Sequence, residues 1–214
     1  MKTLVVDYGR GNILSVCRAV ERCGGSVELS DSPADVANAE RLILPGVGAF
    51  GDCMAQLRSL GLAEPLIEFA RSERPFLGIC VGMQILFSSG EEFGDHDGLD
   101  LLAGAVKAIP KTASDGTAHK TPHIGWTPIE LPEGESAACW DGTVLEDLDQ
   151  GTSVYFVHSF TGHPEHAADR LADAHYGGRR LSAVVRRGAL TGVQFHPEKS
   201  GAAGLKLVDA FLRI

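Results

Sequence analysis

Within Pro75-Phe76-Leu77-Gly78-Ile79-Cys80-Val81-Gly82-Met83-Gln84 a short apolar run ends on a cysteine, and a helix-compatible run, Met83 to Phe87, begins just beyond it. Gly78 and Gly82 stand two residues either side of Cys80, the spacing of a G-x-S-x-G nucleophile elbow with sulfur in place of oxygen. A strand that reverses sharply into a helix has no room for Cβ atoms at the corner, so glycine on both flanks is a steric requirement. The thiol then sits at a helix start, where unpaired N–H groups and the helix dipole favour the charged sulfur. The alternative is a buried structural cysteine; the paired glycines and the change of period favour the nucleophile.

A sulfur nucleophile needs a base, and the base needs a third group to orient it. In Thr191-Gly192-Val193-Gln194-Phe195-His196-Pro197-Glu198 an apolar strand runs onto His196. Pro197 restricts His196 to extended backbone. Residues i and i+2 of an extended segment share a side, so Glu198 can reach the imidazole and leave its other nitrogen for Cys80. The same triplet recurs at His163-Pro164-Glu165, before His166, but in a polar stretch that reads as a solvated turn or helix start. His163 and His166 lack a third ligand nearby for a metal, and His96, His119 and His175 read as surface or partly buried side chains. Amide attack also needs donors for the oxyanion. The Val81 N–H comes with the elbow. Pro45-Gly46-Val47-Gly48 is a candidate for the second donor, and equally consistent with a plain strand-to-helix turn. Gly9-Arg10-Gly11-Asn12 lacks the third glycine of a dinucleotide loop and the Lys-Ser/Thr of a phosphate loop.

The elements that must position these groups follow from hydrophobic period. Met1 to Asp7 meets an acid within seven residues and reads as a first strand rather than a signal peptide. A helix from about Asn12 to Cys23 follows, with Ile13, Val16, Ala19 and Val20 on one face. Ser26–Leu29 and Leu42–Leu44 read as strands, the latter broken by Pro45-Gly46. Helical patterns return at Met54 to Leu60 and Leu66 to Arg71. This alternation predicts an α/β, doubly wound, mostly parallel sheet with helices on both faces. Between Leu101 and Gly125 the signal is weak, with a loop at 110–117. Runs at 152–157, 181–185 and 191–195 read as antiparallel additions in the C-terminal half, and Leu205 to Leu212 as a closing helix. The 214 residues are expected to form one domain.

Net charge of -9 without a Lys/Arg cluster argues against nucleic acid and against anionic membrane surfaces. No apolar run is long enough to span a bilayer. Five scattered cysteines without a C-x-x-C pair fit a reducing cytoplasm and neither a disulfide framework nor a zinc site.

Gly78-Ile79-Cys80-Val81-Gly82-Met83-Gln84 with Phe195-His196-Pro197-Glu198 resembles the triad class of glutamine amidotransferase domains. Asp7-Tyr8-Gly9-Arg10-Gly11-Asn12, Pro45-Gly46-Val47-Gly48-Ala49-Phe50, Pro122-His123-Ile124-Gly125-Trp126, Val157-His158-Ser159-Phe160 and His196-Pro197-Glu198-Lys199-Ser200 together resemble the glutaminase subunits of imidazole glycerol phosphate synthases. The resemblance spans the chain and implies a catalytic triad of Cys80, His196 and Glu198. It implies an oxyanion hole at Val47 and Val81, with L-glutamine held by Gly48, Gln84, Glu92, Ser159 and Phe160. It further implies a heterodimer with a separate (β/α)8 cyclase subunit, which Asn12, Trp126, Tyr155 and Lys199 would face. Ammonia would pass to that subunit for histidine biosynthesis, with no cofactor and no metal. Two positions depart from the family pattern: Thr127 stands where asparagine is common after Gly-Trp, and Phe160 where tyrosine is frequent after His-Ser. The partner of another amidotransferase, for pyridoxal phosphate, anthranilate or GMP synthesis, is the competing enzyme reading. A catalytically silent activating module is the non-enzyme one.

Overall fold

The structure is a computed structural model that describes residues 2–214, so Met1 lies outside the described residues. In chain order its elements are β1 (Lys2–Val6), α1 (Ile13–Arg22), β2 (Ser26–Ser30), α2 (Pro33–Asn38), β3 (Arg41–Gly46), α3 (Phe50–Ser59) and α4 (Ala63–Arg71). Then come β4 (Phe76–Cys80), α5 (Val81–Gln84), β5 (Phe87–Gly90), β6 (His96–Asp97), β7 (Leu102–Ala108), β8 (His123–Glu130) and β9 (Ser153–His158). The chain finishes with β10 (Phe160–Pro164), β11 (Arg170–Tyr176), β12 (Arg179–Arg187), β13 (Leu190–Val193) and α6 (Gly201–Arg213).

Nine strands form the main sheet in the order β2-β1-β3-β4-β13-β12-β11-β8-β9. The first five in that order run parallel, and the rest pair antiparallel, as the C-terminal turns predict. Every residue of β3 and β4 is buried, the mark of central parallel strands covered on both faces. The helices form two groups, α1 against α6, and α4 against α2 and α3. Among the described residues no helix is long and apolar enough to cross a membrane.

The strand order reverses direction about β1, and an open α/β sheet has its crevice outside the carboxyl ends of the strands at such a point. Four chain segments leave the sheet on that edge: the loop after β1, Val47 and Gly48 after β3, Cys80 at the end of β4, and Gln194 to His196 after β13.

The first half follows its hydrophobic period closely; the middle does not. Phe87 opens a strand instead of ending a helix, and α5 is a single turn. Strand β3 continues through Pro45-Gly46 to pair with Ile79 and Cys80. Leu102–Ala108, with four small residues, and His123–Glu130 are strands where the sequence shows little pattern. A second sheet, β10-β7-β5-β6, results. Of the repeated triplet, His163 and Pro164 end its strand β10, while Glu165 and His166 form the expected bend, leading into a short 3-10 turn at Ala167–Asp169.

The corner at Cys80 is fixed by absent side chains. A Cβ on Gly82 would lie 1.9 Å from the Leu44 carbonyl oxygen, and one on Gly78 would lie 2.7 Å from the Gly82 oxygen. The α5 turn therefore rests directly on the backbone of β3. Cys80 itself adopts φ 55°, ψ -111°, a conformation that costs about 1–3 kcal/mol in a non-glycine residue. Buried Phe76, Leu77 and Ile79 on the same strand each contribute about 1.5–3 kcal/mol, enough together to hold the strain. Gly82→Ala is expected to lower the unfolding free energy by about 2–4 kcal/mol. Urea denaturation measures this, and a loss under about 0.5 kcal/mol would show that β3 can withdraw.

Candidate active site

A cleft of about 370 Å³ opens at the carboxyl edge of the sheet, with Cys80 and His196 in its wall. Cys80, 4% exposed, is presented by the strained corner. As the first residue of α5, Val81 has an N–H with no acceptor inside the turn. Because α5 is only one turn long, the local N–H groups, and not a long helix dipole, are what this corner offers to negative charge.

The imidazole arrives from the other side. Strand β13 ends at Val193, so His196 lies three residues beyond the ladder rather than at its tip. Its N–H donates to the Tyr155 carbonyl at 3.0 Å, and its own carbonyl accepts from Ser200 Oγ at 2.7 Å. Ser200 Oγ also accepts from the Tyr155 N–H at 3.0 Å. His196 is extended, but Pro197–Lys199 form a short 3-10 turn. The Glu198 carboxylate reaches the imidazole by folding back through that turn, not by strand alternation. The contact is nonetheless close: His196 Nδ1 to Glu198 Oε1 is 2.8 Å, with the Glu198 side chain 1% exposed. Asn12 Nδ2 donates to the same oxygen at 3.3 Å.

Burial works against a charged His196, but hydrogen bonding to Cys80 and Glu198, and their charges, outweigh it and raise the imidazole to about 9. That fixes the chemistry available: a base that holds a proton firmly beside a sulfur, with Nδ1 occupied by the carboxylate and Nε2 left for the thiol.

The other expected residues gather here too. Val47, Gly48, Gln84, Glu92, Ser159, Phe160, Asn12 and Lys199 all line the cleft. Gly48 has φ +105°, a backbone state that favours glycine. The Val47 carbonyl accepts from Cys53 Sγ at 3.6 Å. The Glu92 carboxylate accepts from the Phe50 N–H at 2.8 Å and so caps α3 while facing the cleft. Phe160 takes part through its carbonyl, which accepts from Gln84 Nε2 at 3.0 Å; the tyrosine hydroxyl common in the resembled family is not needed for that contact. Trp126 and Tyr155 lie outside the cleft wall, cross-strand neighbours with rings edge to face at 6.0 Å.

Sequence reasoning missed three residues. Gln194, fully buried, donates from Nε2 towards Cys80 Sγ at 3.8 Å and accepts from Gln84 at 3.1 Å. A glutamine flanked by Val193 and Phe195 in an apolar run was the available signal, since a buried amide must find partners. His123 and His158 are also buried beside the cleft, hydrogen-bonded to each other at 3.0 Å. Burial lowers them, to about 4 and about 3, the opposite of His196.

The sequence profile of class-I glutamine amidotransferases matches residues 4–213. The chain is 49% identical over 211 residues, 98% of each chain, to imidazole glycerol phosphate synthase subunit HisH 1 of Legionella pneumophila strain Paris. It is 44% identical over 209 residues, 97% of this chain and 98% of the relative, to the HisH subunit of Syntrophotalea carbinolica. A solved glutamine amidotransferase shares the fold, with TM-score 0.70 at 18% identity, covering 98% of this chain and 97% of that one.

A raised imidazole contributes stability that is complete below its unfolded value of 6.5 and is lost as pH rises through about 9. Glu198→Gln removes one of the two groups that raise it. The His196 midpoint, followed by 15N NMR, is expected to fall by at least ~1 unit, and the loss of stability between pH 6.5 and 9 to flatten. An unmoved midpoint would assign the whole effect to Cys80.

Proposed function

Because the chain belongs to the class-I glutamine amidotransferase family, and within it to the HisH subunits of imidazole glycerol phosphate synthase, we propose that it hydrolyses L-glutamine through Cys80, His196 and Glu198. The ammonia passes to a separate cyclase subunit docked over Trp126, Tyr155, Asn12 and Lys199. One observation carries the reading: an imidazole tied to a buried carboxylate at 2.8 Å shares a cleft wall with a sulfur on a strained strand-to-helix corner.

The steps follow from that arrangement. The Cys80 sulfur attacks the side-chain amide carbon of glutamine, and the carbonyl electron pair moves onto oxygen. The Val81 N–H and the backbone at Val47 receive the oxyanion. His196 gives its proton to the amide nitrogen, the C–N bond breaks, and ammonia leaves a glutamyl thioester on Cys80. His196 then takes a proton from water, hydroxide adds to the thioester, and collapse returns the sulfur and releases glutamate. Glu198 holds the ring in one orientation throughout, and Gly48, Gln84, Glu92, Ser159 and Phe160 hold the amino-acid end.

The four docking residues connect to the base. Tyr155 carries the His196 N–H, Asn12 touches Glu198, Lys199 follows Glu198, and Trp126 leans on Tyr155. Trp126 and Ile124 are 57% and 58% exposed on one strand, an apolar surface of the kind interfaces cover.

Glutamate release is expected to rise when the purified chain is mixed with its cyclase subunit. High turnover that ignores the partner would contradict the dependence. Cys80→Ala is expected to lose at least ~10⁴-fold in turnover and all labelling by a glutamine-analogue electrophile. Trp126→Ala is expected to weaken the heterodimer by about tenfold or more, read by titration calorimetry.

A further inference from the structure

Opposite each other on β8 and β9, His123 and His158 form a cross-strand pair, 1% and 6% exposed. Two buried imidazoles are a costly way to fill a core unless their polar atoms are all satisfied. Here each ring nitrogen has one partner, and the partners dictate where the protons sit. The Phe160 carbonyl can only accept, so His158 Nδ1, 2.8 Å away, carries hydrogen. Burial keeps that ring neutral, so its Nε2 is bare and accepts from His123 Nδ1 at 3.0 Å. His123 is neutral as well, so its Nε2 is bare and accepts from the Thr127 hydroxyl at 2.8 Å. The reverse setting of His123 would place two lone pairs face to face at 3.0 Å. Tyr176 and Phe156 stack on the His123 ring with centroids at 4.2 and 4.9 Å, which bars it from turning.

The chain of bonds continues from Phe160. Its carbonyl accepts a second bond from Gln84 Nε2 at 3.0 Å, and the same nitrogen donates to Gln194 Oε1 at 3.1 Å. Both N–H groups of the Gln84 amide are thus committed, which leaves its oxygen as the atom for a ligand donor such as an amino acid's ammonium. Gln194 Nε2 then points at Cys80 Sγ, 3.8 Å away.

We propose that Thr127, His123 and His158 are positioning residues: a buried relay of fixed hydrogen-bond direction that locks the Phe160 carbonyl, and through Gln84 sets the acceptor offered to glutamine. The relay begins one residue from Trp126 and ends in the cleft wall. It gives Thr127, which departs from the commoner asparagine of the family, a defined task that an asparagine amide could also perform, since both supply a donor to His123 Nε2. The role in glutamine binding rests on the glutaminase reading above; the proton arrangement does not. The titratable groups that bear on the pair are His119 and Tyr176 beside His123, and His196 beside His158.

The test uses the full chain with 15N-labelled histidine, alone for NMR and with its cyclase subunit for kinetics. Both His123 and His158 are expected in the Nδ1–H form at pH 7 and to stay neutral to below about pH 5. Thr127→Val is expected to mix the His123 forms and raise KM for glutamine roughly threefold to tenfold with kcat little changed; Thr127→Ser and Thr127→Asn restore both. His158→Asn, whose amide nitrogen stands near the old Nδ1, is expected to retain a lower KM than His158→Leu. An Nε2–H form at either ring, or Thr127→Val with unchanged KM, overturns the relay. A wild-type complex that turns over no glutamine refutes the glutaminase reading instead, and the NMR result still decides the proton arrangement.

Discussion

The contact on which the rest depends is the one between the α5 turn and the backbone of β3, where Gly82 lies against the Leu44 carbonyl with no space for a methyl group. That closeness forces the reversal at Cys80 into positive φ and lifts the sulfur clear of the sheet. A larger residue at either glycine would push the corner away from β3 and carry the sulfur with it. The strain at Cys80 is therefore sustained by packing several residues wide, in keeping with a general pattern in which distorted backbone persists only where its surroundings over-determine it.

Burial alone does not decide the charge of a histidine here. His196, His123 and His158 are all nearly inaccessible, yet the first is raised to about 9 and the others lowered to about 4 and 3. The difference is what each nitrogen faces. His196 has a carboxylate and a sulfur, both able to carry negative charge. The other two face a hydroxyl, a carbonyl and each other, none of which compensates a proton's charge. One imidazole is thus equipped to handle protons and the other two to hold geometry, within a single cluster where burial first, and then the neighbouring His123 and His196, hold His158 down.

Legibility in the sequence tracked how local the determining physics was. Cys80 and its glycines could be read because a tight corner has a short-range steric signature. The pairing of His196 with Glu198 was also found, though for a wrong reason: a 3-10 turn, not strand alternation, brings them together. The middle strands were hidden because Leu102–Ala108 is built from small residues with little alternation. The length of α5 was overestimated because Met83 to Phe87 is apolar but for Gln84, and such a run suits either a buried turn or the start of a strand. His123, His158 and Gln194 stayed out of sight because the bond between the two histidines spans 35 positions and that between Gln194 and Gln84 spans 110, distances no local pattern covers.

His196 hangs from β9 and not from β13. Its peptide N–H is bonded to Tyr155, and Ser200 stitches both sides of the same residue to the same strand. The sulfur, by contrast, is mounted on β4, in the interior of the sheet. The sulfur and the imidazole therefore ride on separate mechanical mounts, one in the interior of the sheet and one on its edge strand. A load on that strand's outer surface bears on the support of the imidazole and not on that of the sulfur, much as a hand on a door's frame touches the plate and not the latch.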